Sequence, residues 1–231
     1  MKKHTLFTLL SLFIFIPGTL LLGRLLPGKG YYLTSTLVIL FLLIPFFMAF
    51  EGQKPQAREL VLIAVLCALA VVSRAAFAWL PHFKPIFGIV IIAGIAFGAQ
   101  SGFLVGAISA FASNFLFGQG PWTPWQMLGY GACGCIAGLY YHRKSKQPKD
   151  PLSLGLFGFV VVLLVVCPIL DTSSVLTTLT VFTPASVISI YTAGILTNLI
   201  QAACTALTLI VLSKPLLAKL ERIIFKYGLH H

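Results

Sequence analysis

The chain has 231 residues, of which 58 % are hydrophobic and 9 % charged, with sixteen Lys and Arg against five Asp and Glu. Soluble domains carry about 25 % charged residues, so this composition, with a mean hydropathy of +0.99, excludes a soluble domain and requires an integral membrane protein. The net charge of +11 does not point to nucleic acid, because the basic residues fall in short runs between apolar segments, a pattern of membrane topology.

Crossing a bilayer takes about 20 apolar residues in a helix. Eight segments are predicted, at 5–22, 32–50, 59–80, 85–98, 102–117, 125–141, 152–170 and 187–212. No alternating short strands appear, so the backbone must satisfy itself within helices, and the fold class is all-α. The first segment follows Lys2-Lys3 as a signal peptide would, but Pro17-Gly18-Thr19-Leu20 offers no small-x-small cleavage site, and the segment is read as a retained helix. The first two segments form an N-terminal hairpin, residues 1–56, ahead of a six-helix membrane core, residues 57–231.

With the amino terminus in the cytoplasm, twelve basic residues fall inside: Lys2, Lys3, Lys54, Arg58, Arg143, Lys144, Lys146, Lys149, Lys214, Lys219, Arg222 and Lys226. Four fall outside: Arg24, Lys29, Arg74 and Lys84. That bias predicts both termini cytoplasmic in a multi-pass protein of a bacterial cell membrane. Loops at 81–84, 118–124 and 171–186 then face outward, and 99–101 and 142–151 inward.

In the third segment Ala57, Ala64, Ala68 and Ala75 fall within a stripe about 40° wide. Small residues in such a stripe admit close helix approach, either inside the bundle or to a partner subunit. Gly102, Gly106, Ser109 and Ser113, with the pairs Gly94/Gly98 and Gly134/Gly138, repeat the device. The five cysteines, Cys67, Cys133, Cys135, Cys167 and Cys204, all lie in apolar stretches, as small buried residues do, and form no disulfide framework or metal spacing.

Polar residues within apolar segments mark candidate sites. Arg74 either snorkels to the headgroups or serves a site, with Phe77, Phe83 and Lys84 just beyond it. Asp171 is the one acidic residue on the predicted outer side, able to meet Arg74, Lys84 or a ligand. On the eighth segment Tyr191, Gly194, Asn198, Gln201 and Thr205 share a face that must point into the bundle. Tyr191 and Asn198 lie nearer its outer end and suit either interhelical hydrogen bonds or ligand contact. The densest pattern runs from Ser113 to Met127. Gly118, Gly120, Pro121 and Pro124 stiffen a turn, Trp122 and Trp125 present flat faces, and Asn114, Gln119 and Gln126 supply neutral donors and acceptors. An interfacial aromatic belt accounts for one tryptophan but not for the amides. No paired carboxylates, zinc motif, Ser/His/Asp grouping or phosphate-binding Gly-Lys-Ser/Thr loop is present, so ATP hydrolysis, if needed, belongs to other subunits.

These residues carry a family resemblance. Arg58-Glu59-Leu60 through Ala64, the run Phe117-Gly118-Gln119-Gly120-Pro121-Trp122-Thr123-Pro124-Trp125-Gln126-Met127, and the closing Lys214-Pro215 to Lys226-Tyr227-Gly228 resemble the substrate-binding S components of energy-coupling factor (ECF) transporters. The middle run looks like the branch assigned to cobalamin uptake. The resemblance implies a six-helix bundle that binds a vitamin on its extracellular side, with cobalamin as the transported ligand and no intrinsic cofactor. It implies docking of Ala64 and Ala68 on a transmembrane coupling subunit (the T component), carried by two ABC ATPases, and release of the vitamin as the bundle topples in the lipid bilayer. The pocket is expected at Asn114, Gln119, Trp122, Trp125 and Gln126, with Arg74, Phe77, Phe83, Lys84, Asp171, Tyr191 and Asn198 around it. The alternatives are an S component for riboflavin, a queuosine precursor or another small metabolite, a lipid-acting membrane enzyme, and a non-catalytic assembly subunit.

Overall fold

The computed structural model describes residues 57–142, 150–179 and 182–227, together with scattered positions between 36 and 48. The expected hairpin at 1–56, the basic run 143–149 and the terminal residues 228–231 lie wholly or almost wholly outside the described residues. The described elements are all helical. Helix α1 is Ala57–Ala76, α2 Ile86–Phe117, α3 Thr123–Ala137, α4 Pro151–Val161, α5 Cys167–Thr178 and α6 Pro184–Tyr227. A π turn, Gly138–His142, extends α3, and another, Val162–Val166, joins α4 and α5 into one rod. Four stretches among the described residues are long and apolar enough to cross a membrane: α1, α2, the α4–α5 rod and α6.

Helix α1 buries Ile63, Leu66, Cys67, Ala70 and Arg74, an i, i+3, i+4, i+7 stripe, against α2. Glu59 in its first turn and Arg74 in its last match the helix dipole. The opposite face leaves Ala64 and Ala68 exposed among Val61, Val65 and Val72.

Helix α2 reverses direction at Gly98, whose φ of 88° lies in the left-handed region open to glycine. In a continuous helix Gly94 and Gly102 would be about 12 Å apart; here a Cβ built on Gly102 would fall 2.6 Å from the Gly94 Cα. Limbs 86–97 and 99–117 therefore form a tight helical hairpin. Segments four and five of the sequence reading are these two limbs, but the inward loop expected at 99–101 is helical, because Gly98 alone makes the turn.

The descending limb is buried all round, as an unbroken apolar run such as Ile86 to Ile95 requires. Helix α3 returns antiparallel to the ascending limb. A Cβ on Gly134 would strike the Gly102 carbonyl, and one on Gly94 would strike the Gly134 carbonyl. Three backbones thus meet at three glycines, where no side chain fits. Phe87 packs edge-on against Tyr130 at 4.6 Å between ring centroids, filling the space above this contact.

The α4–α5 rod starts at Asp150, whose carboxylate accepts from the Leu152 and Ser153 amides at 3.3 and 3.2 Å. Gly155 and Gly158 let it approach α6 at Ile210 and Leu209. The sequence reading places a loop at 171–186. The helix instead runs on to Thr178 and resumes at Pro184, because Thr172, Ser174 and Thr177 return their hydroxyls to carbonyls four residues back and need no loop to be satisfied. Pro215, three residues beyond the last predicted segment, lies inside α6, which continues to Tyr227. At 1.5 Å per residue α6 is about 66 Å long, so its basic end, Lys214 to Lys226, extends past a hydrocarbon core of about 30 Å.

Among the described residues, the chain between 57 and 227 runs as six helical stretches: α1, the two limbs of α2, α3, the α4–α5 rod and α6. Loops 77–85 and 118–122 lie at one end, with Thr178 and Pro184. Gly98, Ala57 and Tyr227 lie at the other.

Candidate substrate site

At the first of these ends a cavity of about 330 Å³ opens between α3, α5, α6 and the loop before α2. Lys84 reaches it from the loop, Trp122 and Gln126 from the start of α3, Asp171 from α5 and Asn198 from α6. Five residues singled out in the sequence therefore converge although 114 positions separate the first from the last.

Asp171 and Asn198 form the far wall. The Asn198 Nδ2 donates to Asp171 Oδ2 at 2.7 Å. Gly194, one turn before Asn198, makes room for this carboxylate, since a Cβ there would lie 3.0 Å from Asp171 Oδ1. Deeper in, Ser173 and Gln201 are only 3 % and 5 % exposed, yet Ser173 Oγ and Gln201 Oε1 are buried without a hydrogen-bond partner among the described residues. Buried polar atoms are nearly always paired, and the exceptions need a reason. Both residues line the cavity.

Trp122 is 40 % exposed at the rim. Its six-membered ring lies over Gly120, where a Cβ would come within 2.5 Å of it. The glycine in this turn is thus what lets the indole fold down beside the opening.

The remaining sequence candidates stand behind or outside the wall. Asn114 is buried and donates from Nδ2 to Gln126 Oε1 at 2.8 Å and to Thr123 Oγ1 at 3.1 Å. Arg74 points inward, not toward the headgroups. It is 7 % exposed, donates to Ser113 Oγ and Asn114 Oδ1, and lies 4.4 Å from the centre of the Phe117 ring. Gln119 ties the loop, donating to the Phe111 carbonyl at 3.0 Å and accepting from Thr123 Oγ1 at 2.9 Å. Phe77 and Phe83 pair with each other in the 77–85 loop at 5.2 Å. The Tyr191 hydroxyl meets Thr172 Oγ1 at 2.8 Å outside the cavity. Trp125 turns away, to a cluster with Phe103, Ala107, Ile39 and Leu43, and its Nε1 is buried without a partner among the described residues.

The sequence reading leaves Ser173, Ser174, Thr177 and Thr197 out of the site, and places Gln201 on the inward polar face without assigning it to the pocket. Serine and threonine within an apolar helix carry little signal, because either can bond its own carbonyls. Gln201 cannot do so as economically, and its place one turn below Asn198 is the available clue.

The family described as ECF-type riboflavin transporter, S component, matches residues 54–219. A UPF0397 protein of Vibrio atlanticus is 30 % identical over 114 residues, covering 47 % of this chain and 62 % of the relative. UPF0397 proteins of Aliivibrio salmonicida and Aliivibrio fischeri are 30 % and 32 % identical over 107 residues, 44 % of this chain and 56 % of each relative. The chain thus spans about six tenths of the length of these curated relatives. No solved structure matches it significantly.

Proposed function

The chain belongs to the S-component family of ECF-type riboflavin transporters, and we propose that it captures a flavin-sized vitamin, riboflavin first, in the cavity between α3, α5 and α6. The observation that carries this reading is a pair of atoms without a hydrogen-bond partner among the described residues, Ser173 Oγ and Gln201 Oε1, on two residues that line a cavity at one end of the bundle. A ligand with several carbonyl, amide and hydroxyl groups would pair them, and Trp122 at the rim offers a face to a flat ring.

Size supports the same choice. Sites that enclose drug-sized ligands run from roughly 300 to 1,000 Å³, and about 330 Å³ stands at the lower end. Cobalamin, the expectation from the Phe117–Met127 run, is far larger than such ligands, and it would require Trp122 and the 118–122 turn to swing outward. The family match likewise names riboflavin, not a corrinoid.

In this reading the cavity end faces outward and the basic end of α6 faces the cytoplasm, with both termini there. The exposed Ala64 and Ala68 on α1 form the docking face for a transmembrane coupling subunit, which two ABC ATPases drive. The protein itself is a transport subunit and its contribution is binding.

Titration calorimetry of the detergent-purified protein with riboflavin, beside cobalamin, tests the ligand. Saturable riboflavin binding that cobalamin does not displace is the expected result. Saturable binding of cobalamin alone, or of neither compound, overturns the flavin reading.

A further inference from the structure

Arg74 does not line the cavity, yet the hydrogen bonds that begin at it have a direction. A guanidinium only donates. Arg74 gives one hydrogen to Asn114 Oδ1 at 3.1 Å, so the Asn114 amide must turn its NH2 the other way. Those two hydrogens are both used, on Thr123 Oγ1 and on Gln126 Oε1. The Thr123 hydroxyl in turn gives its own hydrogen to Gln119 Oε1, and Ser113 gives its own to the Ala110 carbonyl at 3.0 Å. No hydroxyl in the set is left able to reverse the order. Gln126 therefore accepts with Oε1, and its Nε2 is the end of the chain, without a partner among the described residues, on a side chain that lines the cavity.

We propose that Arg74 is a positioning residue for ligand binding: acting through Asn114, it fixes the Gln126 amide so that the cavity presents an N–H donor there, and the ligand must carry an acceptor, a carbonyl oxygen or an unprotonated ring nitrogen, at that point. The proposal rests on the reading that the cavity is the ligand site. It assigns a task to a buried cation whose partners, Ser113, Asn114 and the face of Phe117, are all neutral. A neutral donor in place of Arg74 could rotate and let the Asn114 amide flip. A guanidinium cannot accept, so the flipped arrangement would set two donors against each other.

Asn114→Asp tests this with little change of shape. The carboxylate keeps, and strengthens, the bond from Arg74, but it has no hydrogen to give. Gln126 must then rotate, donate Nε2 to the new carboxylate and show Oε1 to the cavity. A role for Arg74 and Asn114 in stability alone predicts that Asn114→Asp melts at or above the wild-type temperature and binds riboflavin normally. The proposal predicts the same melting temperature with riboflavin affinity reduced at least tenfold. It also predicts the same loss in Gln126→Glu, which shows acceptors only.

A second readout needs no ligand. In protein labelled with 15N-glutamine, the Gln126 side-chain NH2 signal, identified by its loss in Gln126→Glu, exchanges freely with solvent in the wild type and becomes protected in Asn114→Asp. If riboflavin fails to bind the wild type but protection appears, the flavin reading falls and the relay stands. If the Gln126 signal is equally protected in both proteins, or Asn114→Asp binds riboflavin as tightly as the wild type does, the relay is overturned.

Discussion

Asn198 on α6 donates to Asp171 on α5 at 2.7 Å, and Gly194 is the residue that leaves space for the carboxylate between them. Gly194→Ala separates the helix from the site. Alanine in a helix interior is favoured over glycine by about 1 kcal/mol, so α6 should gain stability. Its Cβ would sit 3.0 and 3.3 Å from the two Asp171 oxygens and push the carboxylate off Asn198. The expected outcome is an unchanged or higher melting temperature in detergent with ligand affinity lowered about tenfold, roughly 1.4 kcal/mol. Unaltered affinity on titration would remove the Asp171–Asn198 pair from the site.

The two tryptophans of the 118–126 region should behave oppositely. Trp122 stands at the rim of the cavity, and Trp122→Ala should weaken ligand binding while leaving the fold intact, with Trp122→Phe recovering part of the loss. Trp125 packs with Phe103, Ile39 and Leu43, and its Nε1 is buried without a partner among the described residues. A buried unpaired donor costs about 1–3 kcal/mol. Trp125→Phe removes it at little loss of apolar area and should leave binding unchanged and stability equal or higher. Ligand titration and thermal melting on the two variants, side by side, check both statements.

The glycine contacts give a stability prediction with an internal control. At Gly134 an added Cβ meets the Gly102 carbonyl, which is backbone and cannot step aside, so Gly134→Ala should cost about 3 kcal/mol or more, the upper end for overpacking. At Gly129 the nearest atoms are side-chain methyls of Ile169 and Val166 at 3.6 Å, an ordinary contact. Gly129→Ala should stay within about 1 kcal/mol of wild type. Comparing the melting temperatures of the two purified variants decides whether the three-backbone junction is as tight as the geometry gives it.

What the sequence discloses follows from which signals survive a membrane. Segment positions and close-approach glycines are legible, because lipid imposes long apolar runs and tight backbone contacts leave a trace that only glycine writes. Asn198 stands out because a strongly polar side chain inside an apolar run needs a destination, and Lys84 and Asp171 because they are charges in the predicted outward loops. The direction of each side chain is not legible. Trp122 and Trp125 are three residues apart, yet one faces the cavity and the other faces the Ile39 and Leu43 cluster. Arg74 stays open between the headgroups and an interior role until Ser113 and Asn114, some 40 residues away, are brought against it. The extent of α5 escapes the sequence because Thr172, Ser174 and Thr177 look like loop composition and are instead hydroxyls bonded back into their own helix.

If Ala64 and Ala68 on α1 form the proposed docking face, binding and transport separate in a variant there. Ala64 and Ala68 lie on the side of α1 opposite Ile63, Leu66, Cys67 and Ala70, and no described helix covers them. A large side chain there touches nothing within the described bundle, so Ala64→Trp should leave folding and ligand affinity as they are. A coupling helix that must approach α1 closely would be held off by the indole, since small residues are what permit such packing. The expected result is normal ligand titration of purified Ala64→Trp beside loss of ATP-driven uptake in proteoliposomes containing the coupling subunit and ATPases. Uptake at the wild-type rate in Ala64→Trp would show that the coupling subunit docks elsewhere on the bundle.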